Sequence, residues 1–330
     1  MNDWSAEVTE NYGLQVENLR KGRGSWILET DRGLKLLKEY KGSVRRLEFE
    51  ALVLGTVNGM GGLQVDQYLR NKEGELLSSA EDGTRYIVKD WFSDRECDLK
   101  DAREVLFAVR QTAMLHKLFR QIGMREEWSM KSMISSPLYE AMERHNRELK
   151  KARAFIRGKR RKNEFELCVM ESYDDFYRQA VEAKAGMEAL FKEHGDELME
   201  RYHVCHGDLN QHHLLIGGSY VAVTEFNKMH FGLQVEDVYN LLRKVMEKND
   251  WEESLGRSML EAYERVLPFG ALERKCLYYL FLYPEKYWKQ INFYYNANKA
   301  WVPARNSEKI RSLRRQQEAR MRFVNCLVNW

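Results

Sequence analysis

His206-Gly207-Asp208-Leu209-Asn210-Gln211-His212-His213 is the stretch on which the reading of this 330-residue chain turns. A short apolar approach, Val204 and Cys205, leads into it, and the apolar segment Leu214-Leu215-Ile216 follows. Gly217-Gly218-Ser219 reads as a turn, and a second apolar run, Tyr220–Val223, delivers Thr224-Glu225-Phe226-Asn227. The pattern predicts a hairpin within 202–227 that carries a polar cluster at each end. Phosphoryl transfer calls for such an arrangement, because an acid near the acceptor hydroxyl and a second group on the metal must converge on the same phosphates. A second copy of the three-residue motif, His194-Gly195-Asp196, runs instead into Glu197-Leu198-Met199-Glu200-Arg201, a helical polar pattern without a hairpin, and is set aside.

Working outward, the totals exclude several classes. The length suits one large domain or two small ones, either able to bury a sizeable core. A formal charge of +3, with 53 basic against 50 acidic residues, does not by itself argue for nucleic acid. The five cysteines (Cys97, Cys168, Cys205, Cys276, Cys326) are scattered and lack CxxC spacing, which suits a reducing compartment and argues against a disulfide framework or a zinc site. The first thirty residues lack a signal-peptide pattern, and no apolar run reaches membrane-spanning length. The expectation is a soluble cytoplasmic protein with no membrane partner.

Upstream of the central stretch, residues 1–92 read as strand-rich with one helix. Gly22-Arg23-Gly24-Ser25 and Asp31-Arg32-Gly33 are turns, the first more a hairpin turn than a phosphate cradle. On the strand Leu34–Tyr40, Leu36 and Lys38 share a face by period two, with Lys35 on the other. Ser43–Gly59 is helical, with Leu47, Ala51, Leu54 and Val57 on one face. Tyr86–Phe92 is a buried-strand pattern running into a polar link, Ser93–Asp98. From Leu99 onward helices dominate, beginning with Asp101–Arg120. Residues 144–162 carry ten Lys and Arg against Glu148, read as a solvated helix face ending near Gly158. The run has no aromatic interleaving on which bases could stack, which argues against nucleic acid. Phe165–Met199 and Gln234–Lys248 continue the helical pattern, and the last third is dense in aromatics.

The His206-Gly207-Asp208 loop with its hairpin, together with Leu115-His116-Lys117-Leu118, resembles the aminoglycoside phosphotransferase and choline kinase branch of the protein-kinase-like fold. Tyr283-Pro284-Glu285-Lys286-Tyr287-Trp288 and Tyr294-Tyr295-Asn296-Ala297-Asn298-Lys299-Ala300-Trp301 resemble the CotS-like spore coat proteins of endospore-forming bacteria, a group with that fold. Asp90-Trp91-Phe92 with Arg95-Glu96-Cys97-Asp98, and the Arg-rich run ahead of Phe165-Glu166, carry the same likeness. It implies an α+β bilobal fold: 1–92 a small β-rich lobe, 93–98 a hinge, and 99–330 a large helical lobe holding the hairpin 202–227.

The resemblance also implies roles. Asp208 would be the catalytic base. Lys38, paired with Glu50, would hold the α- and β-phosphates of ATP, and Asp90 and Phe92 would flank the hinge that grips adenine. Glu225 and His213 fall at the magnesium positions, where these families place an aspartate and an asparagine. His206 and Asp237 would support the loop structurally, while His116 reads as a core residue. Mg2+ wants hard oxygens in tight octahedral geometry, so an imidazole and an extra methylene imply a weakened cation site. Two functions follow. One is a degenerate or weakly active phosphotransferase serving coat assembly with coat-protein partners, in the mother-cell cytoplasm and the spore coat. The other is an active ATP/Mg-dependent phosphotransferase on a small hydroxyl compound or a coat component. The two altered ligand positions favour the first.

Overall fold

The computed structural model describes residues 3–125, 128, 131–296 and 304–330, so that Trp301 of the aromatic run lies outside it. The chain divides into two compact units, Met1–Trp128 with His206–Met229, and Ser129–Cys205 with His230–Trp330. The boundary read at residue 92 falls inside the first unit, which also takes in the helix after the polar link and the 206–229 hairpin.

The first unit is built on a five-stranded antiparallel sheet. Strands β1 (Val16–Lys21), β2 (Trp26–Thr30) and β3 (Gly33–Glu39) form a meander, β6 (Arg85–Asp90) pairs with β3, and the two-residue β5 (Ser78–Ser79) closes the far edge. The Gly22–Ser25 stretch is the turn between β1 and β2, closed by Gly22 N–H donating to Ser25 O at 2.8 Å. At the second turn Gly33 sits at φ 81°, which a side chain would strain. Register fixes the faces, since directly opposed residues project the same way. Lys35 lies opposite Asp90, Leu36 opposite Lys89, Leu37 opposite Val88 and Lys38 opposite Ile87. Leu37, Val88 and Leu28 therefore pack with Val8, Tyr12 and Leu14, contributed by helix α1 (Asp3–Asn11) and the chain just after it. Lys38 and Lys89 project from the opposite face, towards helix α2 (Val44–Met60). There Leu47 joins Ile87 and Leu76 in a second apolar cluster.

Helix α2 starts where the Ser43 hydroxyl accepts from Arg46 N–H at 3.3 Å. Helix α3 (Ala102–Phe119) starts at Asp101, whose carboxylate accepts from the N–H groups of Arg103 and Glu104. A second sheet, in the order β4 (Gln64–Val65), β10 (Val221–Val223), β9 (Leu214–Ile216) and β7 (Arg95–Glu96), holds the expected hairpin at its centre. β4 runs parallel to β10. The chain just after β4 pairs with the edge of β6 through a Tyr68–Lys89 bridge and Asp90 N–H donating to Gln67 O at 2.8 Å.

The second unit is largely helical: α4 (Leu138–Gly158), α5 (Glu164–Glu200), α6 (Val235–Lys248), α7 (Glu253–Glu264), α8 (Ala271–Leu282), α9 (Glu285–Asn296) and α10 (Ala304–Cys326). A two-stranded ribbon of β8 (His203–Cys205) and β11 (His230–Gly232) accompanies them. On α4, Leu138, Met142, Leu149, Ala152 and Ile156 are buried while Arg144, Arg147, Lys150, Lys151 and Arg157 face solvent, the amphipathic pattern of a surface helix. Much of the aromatic run is core: Phe281, Tyr283 and Tyr287 are buried. The second His-Gly-Asp motif lies within α5, at a kink where His194 takes φ −128° and ψ 27°. Among the described residues no helix is long and apolar enough to cross a membrane, and no disulfide joins the five cysteines, four of which are buried.

Candidate functional site

The first polar cluster is a loop held by its own side chains. His206 is wholly buried. Its Nε2 donates to Thr224 O at 2.9 Å, and its Nδ1 accepts from Asp208 N–H at 3.2 Å. One imidazole thereby ties the loop to the far end of the hairpin. Gly207 at φ 82° permits the turn between them. Asn210 Nδ2 donates to Asp208 O at 2.7 Å, while its Oδ1 accepts from His212 N–H at 3.1 Å. His213 Nδ1 reaches the same Asp208 carbonyl at 2.8 Å.

With its backbone fixed, Asp208 presents a carboxylate that is 38% exposed and pairs with Lys228 Nζ at 2.8 Å. Partial burial pushes this carboxyl up, but the bond and charge of Lys228, with His213 and His206 behind it, outweigh that and hold it below the ordinary aspartate range. The group is therefore an ionised acceptor.

The second cluster begins at Glu225, which adopts φ 65°, a left-handed conformation uncommon outside glycine. Two contacts keep it there. Its N–H donates to Asp66 Oδ2 at 3.0 Å, and its Oε2 accepts from Lys38 Nζ at 2.5 Å. Burial raises the Glu225 carboxyl, but Lys38, with Lys89 and His213 at longer range, more than offsets it, and the group lies below the ordinary glutamate value. The fold thus brings Lys38 and Glu225, 187 residues apart, into direct contact.

The partner foreseen for Lys38 is a different residue. Glu50, almost wholly buried on α2, accepts from Arg46 Nε at 3.0 Å and from the Tyr68 hydroxyl at 2.6 Å. Arg46 stands one helical turn before Glu50 and its guanidinium also reaches the carbonyls of Asn227 and Met229, so it takes the place foreseen for the strand lysine. The buried lysine–acid pair of this site is Lys89 with Asp66, at 2.7 Å.

Neither Lys89 nor Asp66 stands out in the sequence. Lys89 could have been found, since period two within Tyr86-Ile87-Val88-Lys89 puts it on the face of Lys38. Asp66 follows a two-residue strand with no periodicity to read. Lys228, one residue past the polar cluster, also went unread.

Asp90 lies on the opposite face, where its carboxylate pairs with Lys35 at 3.0 Å. Its N–H is taken by Gln67 O, and the Phe92 ring packs 6.5 Å from Tyr220. His116 is buried within α3, the core position read for it. Asp237 is buried in the first turn of α6, in the other unit, and its place there suits the helix dipole.

Among the described residues no group of three or more His, Cys, Asp or Glu is gathered to hold a metal. The side chains in place for a cation are one carboxylate, already bonded to Lys38, and one imidazole. That set does not fit Mg2+, which wants several oxygens.

A family model described as "Spore coat putative kinase YutH" matches residues 5–327. No curated protein matches the chain. Among solved structures, an aminoglycoside phosphotransferase from Alicyclobacillus acidocaldarius superposes with a TM-score of 0.84 at 16% identity, covering 98% of this chain and 95% of that one. The AMP-bound spectinomycin phosphotransferase APH(9)-Ia gives 0.65 at 9% identity, with 94% of each chain covered. Amicoumacin kinase hAmiN, in complex with AMP-PNP, Ca2+ and Ami, gives 0.58 at 13%, covering 98% of this chain and 94% of its own. At such identities the likeness establishes the fold, which is that of the aminoglycoside phosphotransferases, and nothing finer.

Proposed function

The chain belongs to the YutH family of kinase-like spore coat proteins, and on that premise we propose that it binds a nucleoside triphosphate at an altered phosphotransferase centre, transfers phosphoryl groups weakly, and serves coat assembly. The observation that carries this reading is the 2.5 Å Lys38–Glu225 ion pair. An ammonium for phosphates and a carboxylate for a cation are held side by side, each satisfying the other until nucleotide arrives. Lys38 would then turn to the phosphates and Glu225 to the cation that accompanies them. Asp208 would orient the acceptor hydroxyl and take its proton, and the Lys228 ammonium beside it would offset charge gathering on the transferred group. That the spectinomycin phosphotransferase and amicoumacin kinase structures hold AMP and AMP-PNP supports a nucleotide as the ligand. The acceptor is a small hydroxyl compound or a coat component, and the partners are coat proteins in the mother cell.

The departures support weak transfer. Losing one charge-stabilising group at such a centre costs about 10²–10³ in rate, against roughly 1–100 s⁻¹ for ordinary kinases. We expect turnover well below about 1 s⁻¹. A vigorous phosphotransferase is the second reading, favoured by the ionised, accessible Asp208 with its lysine.

Thermal unfolding with ADP or ATP and a divalent cation, followed alongside ATP consumption, tests the proposal. Nucleotide at a hundred times its Kd should add about 2.7 kcal/mol of stability. Lys38→Ala and Glu225→Ala should cut that shift by about half or more, whereas Asp208→Ala should keep it and lose transfer. No shift with any nucleotide, with Mg2+ or Mn2+, overturns nucleotide binding. Wild-type turnover in the ordinary kinase range overturns the weak-transfer reading in favour of the second.

A further inference from the structure

We propose that Arg46 is a positioning residue: it holds the two backbone carbonyls on either side of Lys228 and so sets that lysine's ammonium against the Asp208 carboxylate. What Lys228 does there rests on the phosphotransfer reading above; what holds it there rests on the geometry alone.

The guanidinium is fixed before it reaches the loop. Arg46 lies in the first turn of α2, where its N–H donates to the Ser43 hydroxyl at 3.3 Å. One helical turn on, Glu50 accepts from its Nε at 3.0 Å. That carboxylate is itself held, because its other oxygen accepts from the Tyr68 hydroxyl at 2.6 Å and the side chain is 1% exposed. Nε carries one hydrogen and Nη2 carries two, in a planar fork. With Nε committed to Glu50, the two hydrogens of Nη2 serve Asn227 O at 3.1 Å and Met229 O at 2.8 Å. A lysine, with one nitrogen and no fork, does not reproduce this spread of donors.

The loop is determined from its own end as well. Phe226 is wholly buried and packs on His206 and Phe119, with ring centroids 4.6 and 6.2 Å away. Met229 N–H donates to Phe226 O at 2.9 Å, which closes a turn over residues 226–229. Phe226 thus anchors the turn in the core, and Arg46 takes up two of its carbonyls. Lys228 stands between those carbonyls and places its Nζ 2.8 Å from Asp208 Oδ2. The lysine and aspartate side chains are 60% and 38% exposed. A pair so open to water is too weak to fix its own geometry. The backbone must therefore present the lysine, and Arg46 grips that backbone on both sides of it. Lys38 is engaged with Glu225 and Lys89 with Asp66, so the ammonium on Asp208 is that of Lys228.

The test is zero-length coupling of the full chain with a water-soluble carbodiimide, which joins a carboxylate and an amine in contact as an amide, read by peptide mass mapping. Wild type should yield the Asp208–Lys228 cross-link. Arg46→Lys, which leaves a cation for Glu50, should lower its yield severalfold. Arg46→Gln combined with Glu50→Gln, which removes the buried acid together with its partner, should do the same. The Lys35–Asp90 pair, in contact at 3.0 Å on the other face of the sheet, should cross-link equally in every variant. In phosphoryl transfer, Arg46→Lys should lower kcat and leave the nucleotide KM unchanged, with no further fall in a Lys228→Met background. An Asp208–Lys228 cross-link undiminished in both variants, or absent from wild type, overturns the inference while leaving nucleotide binding intact. Loss of the Lys35–Asp90 cross-link alongside it makes Arg46 a structural residue and overturns the inference too. An Arg46-dependent cross-link in a protein that transfers no phosphoryl group supports the clamp and ends the phosphotransfer reading.

Discussion

Asp66 and Lys89 meet at 2.7 Å with side chains 0% and 4% exposed, and the second Asp66 oxygen, Oδ1, has no hydrogen-bond partner. Burial drives the Asp66 carboxyl up, while Lys89 and the Glu225 N–H pull it back. Such a pair tolerates the loss of neither member, because the survivor is a buried, uncompensated charge. Lys89→Met should therefore lower unfolding free energy by about 3–5 kcal/mol in urea titration. Adding Asp66→Leu should recover only part of this, since the Glu225 N–H still loses its acceptor. Full recovery by the double variant would show that Asp66 does not hold the left-handed turn at Glu225. Lys38 pairs with Glu225 rather than with the expected Glu50, for a reason at the same scale. Arg46 and Glu50 are four apart on one helix, a local pairing available before any strand lysine is near.

Helix boundaries were legible because their signals are local. Ser43, Asp101 and Asn163 cap α2, α3 and α5, the last in a reciprocal box with Glu166, and each cap lies within three residues of what it satisfies. The two-residue strands β4 and β5 were not legible, since their pairing depends on partners more than a hundred residues away for β4 and on loop geometry for β5. Arg320 of α10 is another element-scale device hidden from the sequence. Its buried guanidinium donates to Phe281 O and Leu282 O, both at 2.7 Å, at the C-terminal end of α8, and to Gln179 Oε1 at 2.8 Å. Bonds from a charged donor are worth roughly 1.5–3 kcal/mol each, and orphaned carbonyls add their own cost. Arg320→Met should lower stability by at least about 2 kcal/mol in urea titration. A change under about 0.5 kcal/mol would mean that water replaces the guanidinium.

At the scale of the whole molecule, two half-buried histidines each contribute a pH dependence of definite sign. His145 stacks on Trp288, and burial, with the neighbouring Arg144 charge, pushes its pKa down from 6.5 to about 4. Burial likewise lowers that of His213, against the opposing pull of Asp208. At these two groups the folded state binds fewer protons than the unfolded one in this window, whereas Glu50, Asp66 and Glu236, raised by burial, contribute in the opposite sense. The stability the histidines contribute is fully present above about pH 6.5 and is lost as pH drops towards 4. Urea midpoints of wild type should fall relative to those of His145→Phe as pH drops across that range; a constant difference between the two would remove His145 as a source of pH dependence. The fold and the His206–Glu225 loop could be read from one chain because the hairpin is contiguous. The union of Lys38 with Glu225 was foreseen only as a convergence of residues far apart, and the lysine's direct contact with the acid emerged from the fold. Calorimetric titration of ADP into wild type, Lys38→Met and Glu225→Gln in the presence of a divalent cation shows whether that contact belongs to the nucleotide site. Wild type should bind measurably and each variant about tenfold or more weakly, as expected for removing a charge-assisted contact. Equal affinity in all three proteins would contradict it.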